Sequence, residues 1–169
     1  VRYYNAESAE LYGLELEFRQ SFGNDYKTNI NYTQMISEVT YPKMNANDVT
    51  APNVSSLANT KRPLYGQSNY IVNASLTYAP LDEKYDLNLA YNLFGKRLVT
   101  VGSDLQGDDE YEMPNQKLDF SAKYQDDYIL YKFNVKNILD SETTFEQNKI
   151  VTQHYKTGRS FSFGIDLSL

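Results

Sequence analysis

Cysteine is absent from the 169 residues, which removes any disulfide framework and any thiolate metal site. Histidine occurs once, as His154, in a polar stretch with no paired carboxylate at ligand spacing. The chain therefore offers neither a zinc cluster nor a credible base for a hydrolytic triad. It is expected not to be an enzyme and to need no cofactor. No apolar run approaches the ~20 residues that a membrane-crossing helix requires. Sixteen lysines and arginines stand against 22 acidic residues, a net charge of -6. They form no basic cluster, so nucleic acid is excluded as an expected partner. The chain opens at Val1 without a methionine, a signal peptide or a small-residue cleavage site. It is expected to be mature or truncated material from a longer polypeptide.

What is present is tyrosine, sixteen of it, and alternation. From Arg159 to Leu169 the chain places Phe161, Phe163, Ile165, Leu167 and Leu169 on one face, with Ser160, Ser162, Gly164, Asp166 and Ser168 on the other. In water such an apolar row needs a core, whereas in an outer membrane it faces lipid while the polar row faces a lumen. Mean hydropathy, at -0.60, does not separate the two, because alternating strands and polar loops dilute the average.

Period two predicts seven strands. They run at about Glu10 to Ser21, Tyr26 to Met35, Tyr70 to Tyr78, Tyr85 to Leu93, Lys117 to Tyr124, Tyr128 to Lys136, and the terminal strand. In the first, Tyr12, Leu14, Leu16 and Phe18 oppose Glu15, Glu17 and Arg19, three charges that a dry core would not accept. Later strands repeat the pattern, with Leu87, Leu89 and Tyr91, or Ile129, Tyr131, Phe133 and Val135, set against polar partners. The expected polar face carries Glu15, Glu17, Asp86, Asp119 and Asp166 against Arg19, Lys123, Lys132 and Lys136. Lengths near nine to twelve residues exceed the usual soluble strand and suit a tilted bilayer crossing.

Three short turns carry an aromatic residue on each side: Phe22 with Tyr26, Tyr78 with Tyr85, and Tyr124 with Tyr128. Long polar segments, roughly Ile36 to Ser68, Gly95 to Asn115 and Asp140 to Thr157, separate them. Alternation of tight and long connections is the habit of transmembrane barrels, and the aromatic pairs would form an interfacial girdle. A soluble antiparallel β-sandwich that buries the apolar face against a second sheet satisfies the same pattern. Seven strands do not close a bacterial barrel of even number with a lumen, so further strands are expected upstream.

Four stretches carry a family resemblance. In order, Tyr12-Gly13-Leu14-Glu15-Leu16-Glu17, Arg62-Pro63-Leu64-Tyr65-Gly66-Gln67-Ser68, Asn92-Leu93-Phe94-Gly95 and Val135-Lys136-Asn137-Ile138-Leu139-Asp140 resemble the last third of TonB-dependent outer-membrane receptors, most closely those of Bacteroidetes-type bacteria. The resemblance implies an all-β, antiparallel up-and-down meander of about seven transmembrane strands that closes a larger, 22-stranded barrel. It implies import of a nutrient across the outer membrane of a Gram-negative cell. Its partners would be the rest of the barrel and plug, the TonB complex, outer-membrane lipid and a small-molecule ligand. The end of the chain, with Ser162, Gly164, Leu167 and Leu169, resembles the signal read by the barrel-assembly machinery, except that Leu169 stands where an aromatic residue is usual. Receptors that import glycans under a lipoprotein lid carry an aspartate-glycine-serine-phenylalanine stretch before a late strand. Here that position reads Tyr111-Glu112-Met113-Pro114-Asn115-Gln116, which tilts the expectation towards a siderophore, haem or another small nutrient. A passive barrel without TonB coupling remains open.

The loops are expected to choose the ligand. The first long segment brings Tyr41, Met44, Asn45, Asn47, Asn53 and Lys61. Asp104, Asp108, Asp109 and Glu110 could hold calcium through carboxylate oxygens, or form an acidic solvated face. Asn31, Asn53 and Asn73 open Asn-x-Ser/Thr sequons, which in a bacterial setting carry little inference of glycosylation.

Overall fold

Alternation settles into a single open sheet whose strands follow one another along the chain. The computed structural model describes residues 6–41, 60–81, 84–102 and 107–167. Among these there is no helix, and twelve strands form: β1 (Ser8–Phe22), β2 (Tyr26–Thr40), β3 (Lys61–Arg62), β4 (Tyr70–Tyr78), β5 (Tyr85–Phe94), β6 (Arg97–Thr100), β7 (Glu110–Glu112), β8 (Asn115–Asp126), β9 (Ile129–Lys136), β10 (Glu142–Gln147), β11 (Ile150–Lys156) and β12 (Ser160–Leu167). The long strands make an antiparallel wall in the order β1-β2-β4-β5-β8-β9-β12, with β3 added beside the end of β2. The all-β meander of seven long strands is as the sequence predicts, and β1 and β12 are its unpaired edges.

Register keeps one parity across the whole wall. Leu16 faces Tyr32, which faces Val72, which faces Leu93. Further along, Leu89 faces Phe120, Phe120 faces Val135, and Val135 faces Phe161. Side chains alternate between faces, so these pairings place the apolar residues on one face. That face is uncovered: Leu16 keeps 56% of its surface exposed and Phe163 66%. Among the described residues no second layer lies against it, as a β-sandwich would require.

The other face is hydrogen-bonded along its rungs. Asn31 Nδ2 donates to Glu15 Oε1 at 2.7 Å, and Asn92 Nδ2 to Asn73 Oδ1 at 2.7 Å. Asn88 donates to the Thr77 hydroxyl, and Lys123 pairs with Asp86 at 3.3 Å. Lys132 pairs with Asp166. Nearer the long connections the same face turns apolar, with Leu11, Met35, Ile71 and Phe94 in register positions of equal parity.

At the short-turn end the rings meet as neighbours. Tyr26 and Tyr78 lie 4.9 Å apart between centroids, Tyr85 and Tyr124 5.0 Å, and Tyr124 and Tyr131 6.1 Å. Tyr131 takes the place expected of Tyr128. The reason is a longer β8, which continues to Asp126 and leaves Asp127 and Tyr128 as a two-residue turn, with Tyr128 at its exposed tip. The second strand also outruns its expected end at Met35, because β1 pairs with it as far as Thr40 and β3 adds to it there.

The long connections are not plain loops. The second and third supply a four-stranded antiparallel sheet, β11-β10-β7-β6, which caps the wall at the end opposite the short turns. Two details anchor it. Gly95 turns the chain from β5 into β6 where a Cβ would meet Asn69 Oδ1 at 2.1 Å and the Tyr70 ring at 2.7 Å. Asn137 leaves β9 at φ +56°, donates its main-chain amide to Asp119 Oδ1 at 2.8 Å, and donates Nδ2 to the Gly158 carbonyl at 2.9 Å. One asparagine thus ties β8, β9 and the approach to β12. The buried apolar residues among those described are Leu98, on β6 of the cap, and Val39, on β2 where β3 pairs with it; the rest of the wall buries no apolar residue among those described.

The β10–β11 hairpin turns through Asn148 and Lys149, both at positive φ, +49° and +64°. This is the mirror-type turn that matches strand twist and favours asparagine then glycine. Lysine at the second position carries left-handed strain, so Lys149→Gly is expected to stabilise the hairpin by up to ~1 kcal/mol, read as slower amide exchange in β10 and β11 with no change in β4 or β5.

Candidate functional site

The cap gathers charge where the wall has none to spare. Arg62 enters from β3 and is shut from solvent, its side chain 1% exposed, with Asp109 at 3.4 Å and 4% exposed. Its guanidinium also lies over the Tyr41 ring, 5.3 Å from the centroid. Asp109 Oδ1 in turn accepts the Gly102 amide at 2.8 Å. At Gly102 a Cβ would come within 2.3 Å of the Gly107 carbonyl oxygen, so only glycine lets these strands of chain meet. The first and second long connections are therefore bolted together by a buried ion pair.

Next to it, Arg97 pairs with Glu112 at 2.6 Å and stacks on the Phe94 ring at 4.5 Å. Lys96, one residue earlier, takes the other side, its Nζ 3.9 Å above the centroid of Tyr111. Burial pushes the Tyr111 phenol above its usual pKa, and the nearby Asp109 carboxylate adds to this. It is a neutral donor at physiological pH. At the rim Lys61 donates to Glu38 at 2.6 Å, and that hydrogen bond with its charge raises the ammonium pKa.

Between β2, the segment 63–69 and the β6–β7 pair opens a groove of about 340 Å³, with Gln34, Ser37, Gln67, Lys96, Leu98 and Tyr111 among its lining. Gly66 brings this segment close: at φ +73° it donates its amide to the Leu98 carbonyl at 2.8 Å. A smaller hollow of about 190 Å³ lies nearer the end of β9, between Arg97, Lys117, Asn137 and Tyr155.

The acidic run does not converge. Asp109 belongs to Arg62, and Glu110 accepts the hydroxyls of Thr152 at 2.6 Å and Thr100 at 2.8 Å. The Asp108 carbonyl accepts Gln147 Nε2, and Asp104 lies outside the described residues. Among the described residues no three His, Cys, Asp or Glu side chains stand together to hold a metal. His154 is exposed on β11, 3.8 Å from Glu142. Asn31 and Asn73 sit on the polar face of the wall, Asn73 accepting from Asn92. Met44, Asn45, Asn47 and Asn53 lie outside the described residues, and Tyr41 and Lys61 have the partners given above.

At the chain's far end the Ser162 hydroxyl accepts from Asn134 Nδ2 at 3.2 Å, and Gly164 faces Lys132. A Cβ at Gly164 would meet only Lys132 Cβ, at an ordinary 3.8 Å, so space does not demand glycine there. Leu167 is exposed, and Leu169 lies outside the described residues.

Arg97 and Leu98, with Lys96 just before them, give no period-two signal because β6 is four residues long. Arg97-Leu98-Val99-Thr100 is nonetheless rich in strand formers. The hairpin had a stronger signal, since Thr143, Thr144, Phe145 and then Ile150, Val151, Thr152 flank Asn148.

Removing one partner of a buried ion pair strands the other charge, so Arg62→Met is expected to destabilise the cap by ~3–5 kcal/mol. The double change Arg62→Met with Asp109→Leu should recover most of that loss in the same denaturation measurement. A second outcome concerns pH. Hydrogen bonds, first from Thr152 and then from Thr100, hold the Glu110 carboxyl below its usual pKa. A depressed folded-state value contributes stability above the unfolded carboxylate's ~4.3 and loses it as pH falls through the folded value. Amide protection around Thr152 should therefore be level from about pH 7 to 5, drop on further acidification, and lose that dependence in Thr152→Val.

Comparison with protein-family models, with curated proteins and with solved structures found no match for this chain.

Proposed function

We propose that this chain is the C-terminal wall and loop cap of an outer-membrane β-barrel receptor of the TonB-dependent type, which binds and imports a small nutrient. The carrying observation is the apolar face: continuous over seven strands, exposed on β1 and β12 and half-exposed over most of the strands between, and ending in a row of contacting tyrosines at the short-turn end. An aqueous protein hides such a surface, because large exposed apolar patches are rare on soluble monomers. Hydrocarbon instead favours it, and tyrosines suit its boundary with water. The opposite face, with its asparagine rungs and ion pairs, suits a hydrated interior or a plug.

The unpaired edges of β1 and β12 support a wall that other strands continue, as in a 22-stranded barrel. The buried Arg62–Asp109 bolt and the groove beside it support a receptor rather than a simple pore, since a shaped cap on the long-connection side is where an external ligand would first be met. A soluble β-sandwich gains nothing from the arrangement, because the four-stranded sheet leaves Leu14, Phe18, Leu76 and Phe133 in the open.

The polypeptide carrying this sequence should fractionate with the outer membrane, come out in detergent, and have an intact mass several times 19.5 kDa. A water-soluble product would overturn the proposal. In the same preparation Phe133→Arg, on the apolar face near mid-wall, should weaken membrane folding by ~2–4 kcal/mol, while Asn134→Ser, its neighbour on the other face, should leave it nearly unchanged.

A further inference from the structure

Beside the groove in the cap, Lys96 has no carboxylate to answer it among the described residues. The two adjacent basic residues divide their roles: Arg97 is satisfied by Glu112, whereas Lys96 has no acidic side chain within ion-pair distance among the described residues. The Tyr111 face fixes where its ammonium sits, 3.9 Å from the centroid, but a ring leaves the remaining N–H donors unused. None of the described residues lining the groove is acidic, so together they bring one uncompensated positive charge to the cavity.

A second group in the groove lacks the opposite kind of partner. Gln67 Oε1 is shielded from solvent and accepts no hydrogen bond, although Gln67 lines the cavity. The terminal torsion of a glutamine amide is soft, and a small rotation presents that oxygen to whatever fills the groove. Gln34, by contrast, is occupied on both sides, donating to the Asn69 carbonyl and accepting from Tyr32. The groove thus asks for an anion at one point and an O–H or N–H donor at another. Its apolar share comes from Met35, Ile36, Pro63 and Leu98. A volume of about 340 Å³ is at the lower end of small-molecule sites, ~300–1,000 Å³, too small to enclose a large chelate.

We propose that this groove binds a small organic carboxylate that also carries a hydroxyl donor, with Lys96 meeting the carboxylate and Gln67 accepting from the hydroxyl. The proposal rests on the reading of the cap as the ligand-facing side of a receptor, and names the chemical class that side selects. Leu98 and Tyr111 supply the floor, and Tyr111, a neutral phenol at physiological pH, adds no competing negative charge.

Malate and succinate differ by one hydroxyl, so titration calorimetry of the detergent-extracted protein with each of them, and with inorganic phosphate, tests the assignment. Malate should bind, with succinate weaker on the order of tenfold and phosphate weaker still, since a hydrogen bond to a buried acceptor accounts for a difference of that size. Lys96→Met should weaken malate on the order of tenfold or more, and Lys149→Met, a lysine at the exposed hairpin tip, should not. Gln67→Leu should erase the preference for malate over succinate. The unmodified protein's own malate-to-succinate ratio keeps the test decisive if that variant fails to fold. No malate binding, equal affinity for malate and succinate, or malate binding untouched by Lys96→Met would each overturn the inference. Fractionation reads the receptor proposal separately: malate binding that needs Lys96 in a water-soluble protein would sink the receptor and keep the site. An outer-membrane protein indifferent to malate would do the reverse.

Discussion

Parity governs this molecule. In an antiparallel sheet a slip of one residue turns every side chain of a strand to the opposite face, and here six successive long-strand pairings hold the same phase. The short turns enforce it: Phe22 pairs with Tyr26 across three residues, and Asp126 with Ile129 across two. Because the phase is never lost, apolar side chains accumulate on one surface, polar ones on the other, and tyrosines collect along one border. Without that constancy there would be neither an apolar surface nor a rung of asparagines.

Wall and cap obey different physics. In the wall, strands find their neighbours through backbone ladders and cross-strand pairs, and almost nothing is buried. In the cap, short strands gain order from a few shielded contacts: the buried Leu98 of β6, Arg62 against Asp109, and the stacked pairs of Lys96 on Tyr111 and Arg97 on Phe94. Positive charge held over aromatic faces lets the cap be polar without being loose. The groove lies where the two regimes join, bounded on one side by the regular edge of β2 and on the other by β6 and β7.

The sequence made the wall readable because period two is a long-range signal, repeated over eight to fifteen residues at a time. The cap was opaque for the complementary reason. Strands of two to seven residues hold too few alternations to rise above their polar surroundings, and β7 is three residues long. The stretches that carried the family resemblance have physical tasks here. Arg62 is half of the buried bolt, Gly66 turns at positive φ beneath Leu98, Gly95 clears the Tyr70 ring, and Asn137 knots three strands. Their spacing was visible, but their partners, Asp109, Asn69 and Gly158, lie tens of residues away and become neighbours only once the strands are paired. The same distance hid the fate of Asp109 and Glu110, whose carboxylates look free in a line of text and are held in space by Arg62 and by Thr152 and Thr100.

The bare edges of β1 and β12 bear on the order of events during assembly. Each presents a row of main-chain amides and carbonyls with no neighbour, harmless in water, where solvent occupies them, but costly by several kcal/mol apiece in hydrocarbon. On the proposed membrane reading, the apolar face would draw the wall towards lipid while its margins oppose entry alone. If the wall belongs to a membrane barrel as proposed, joining the seam and crossing the bilayer would be a single concerted step.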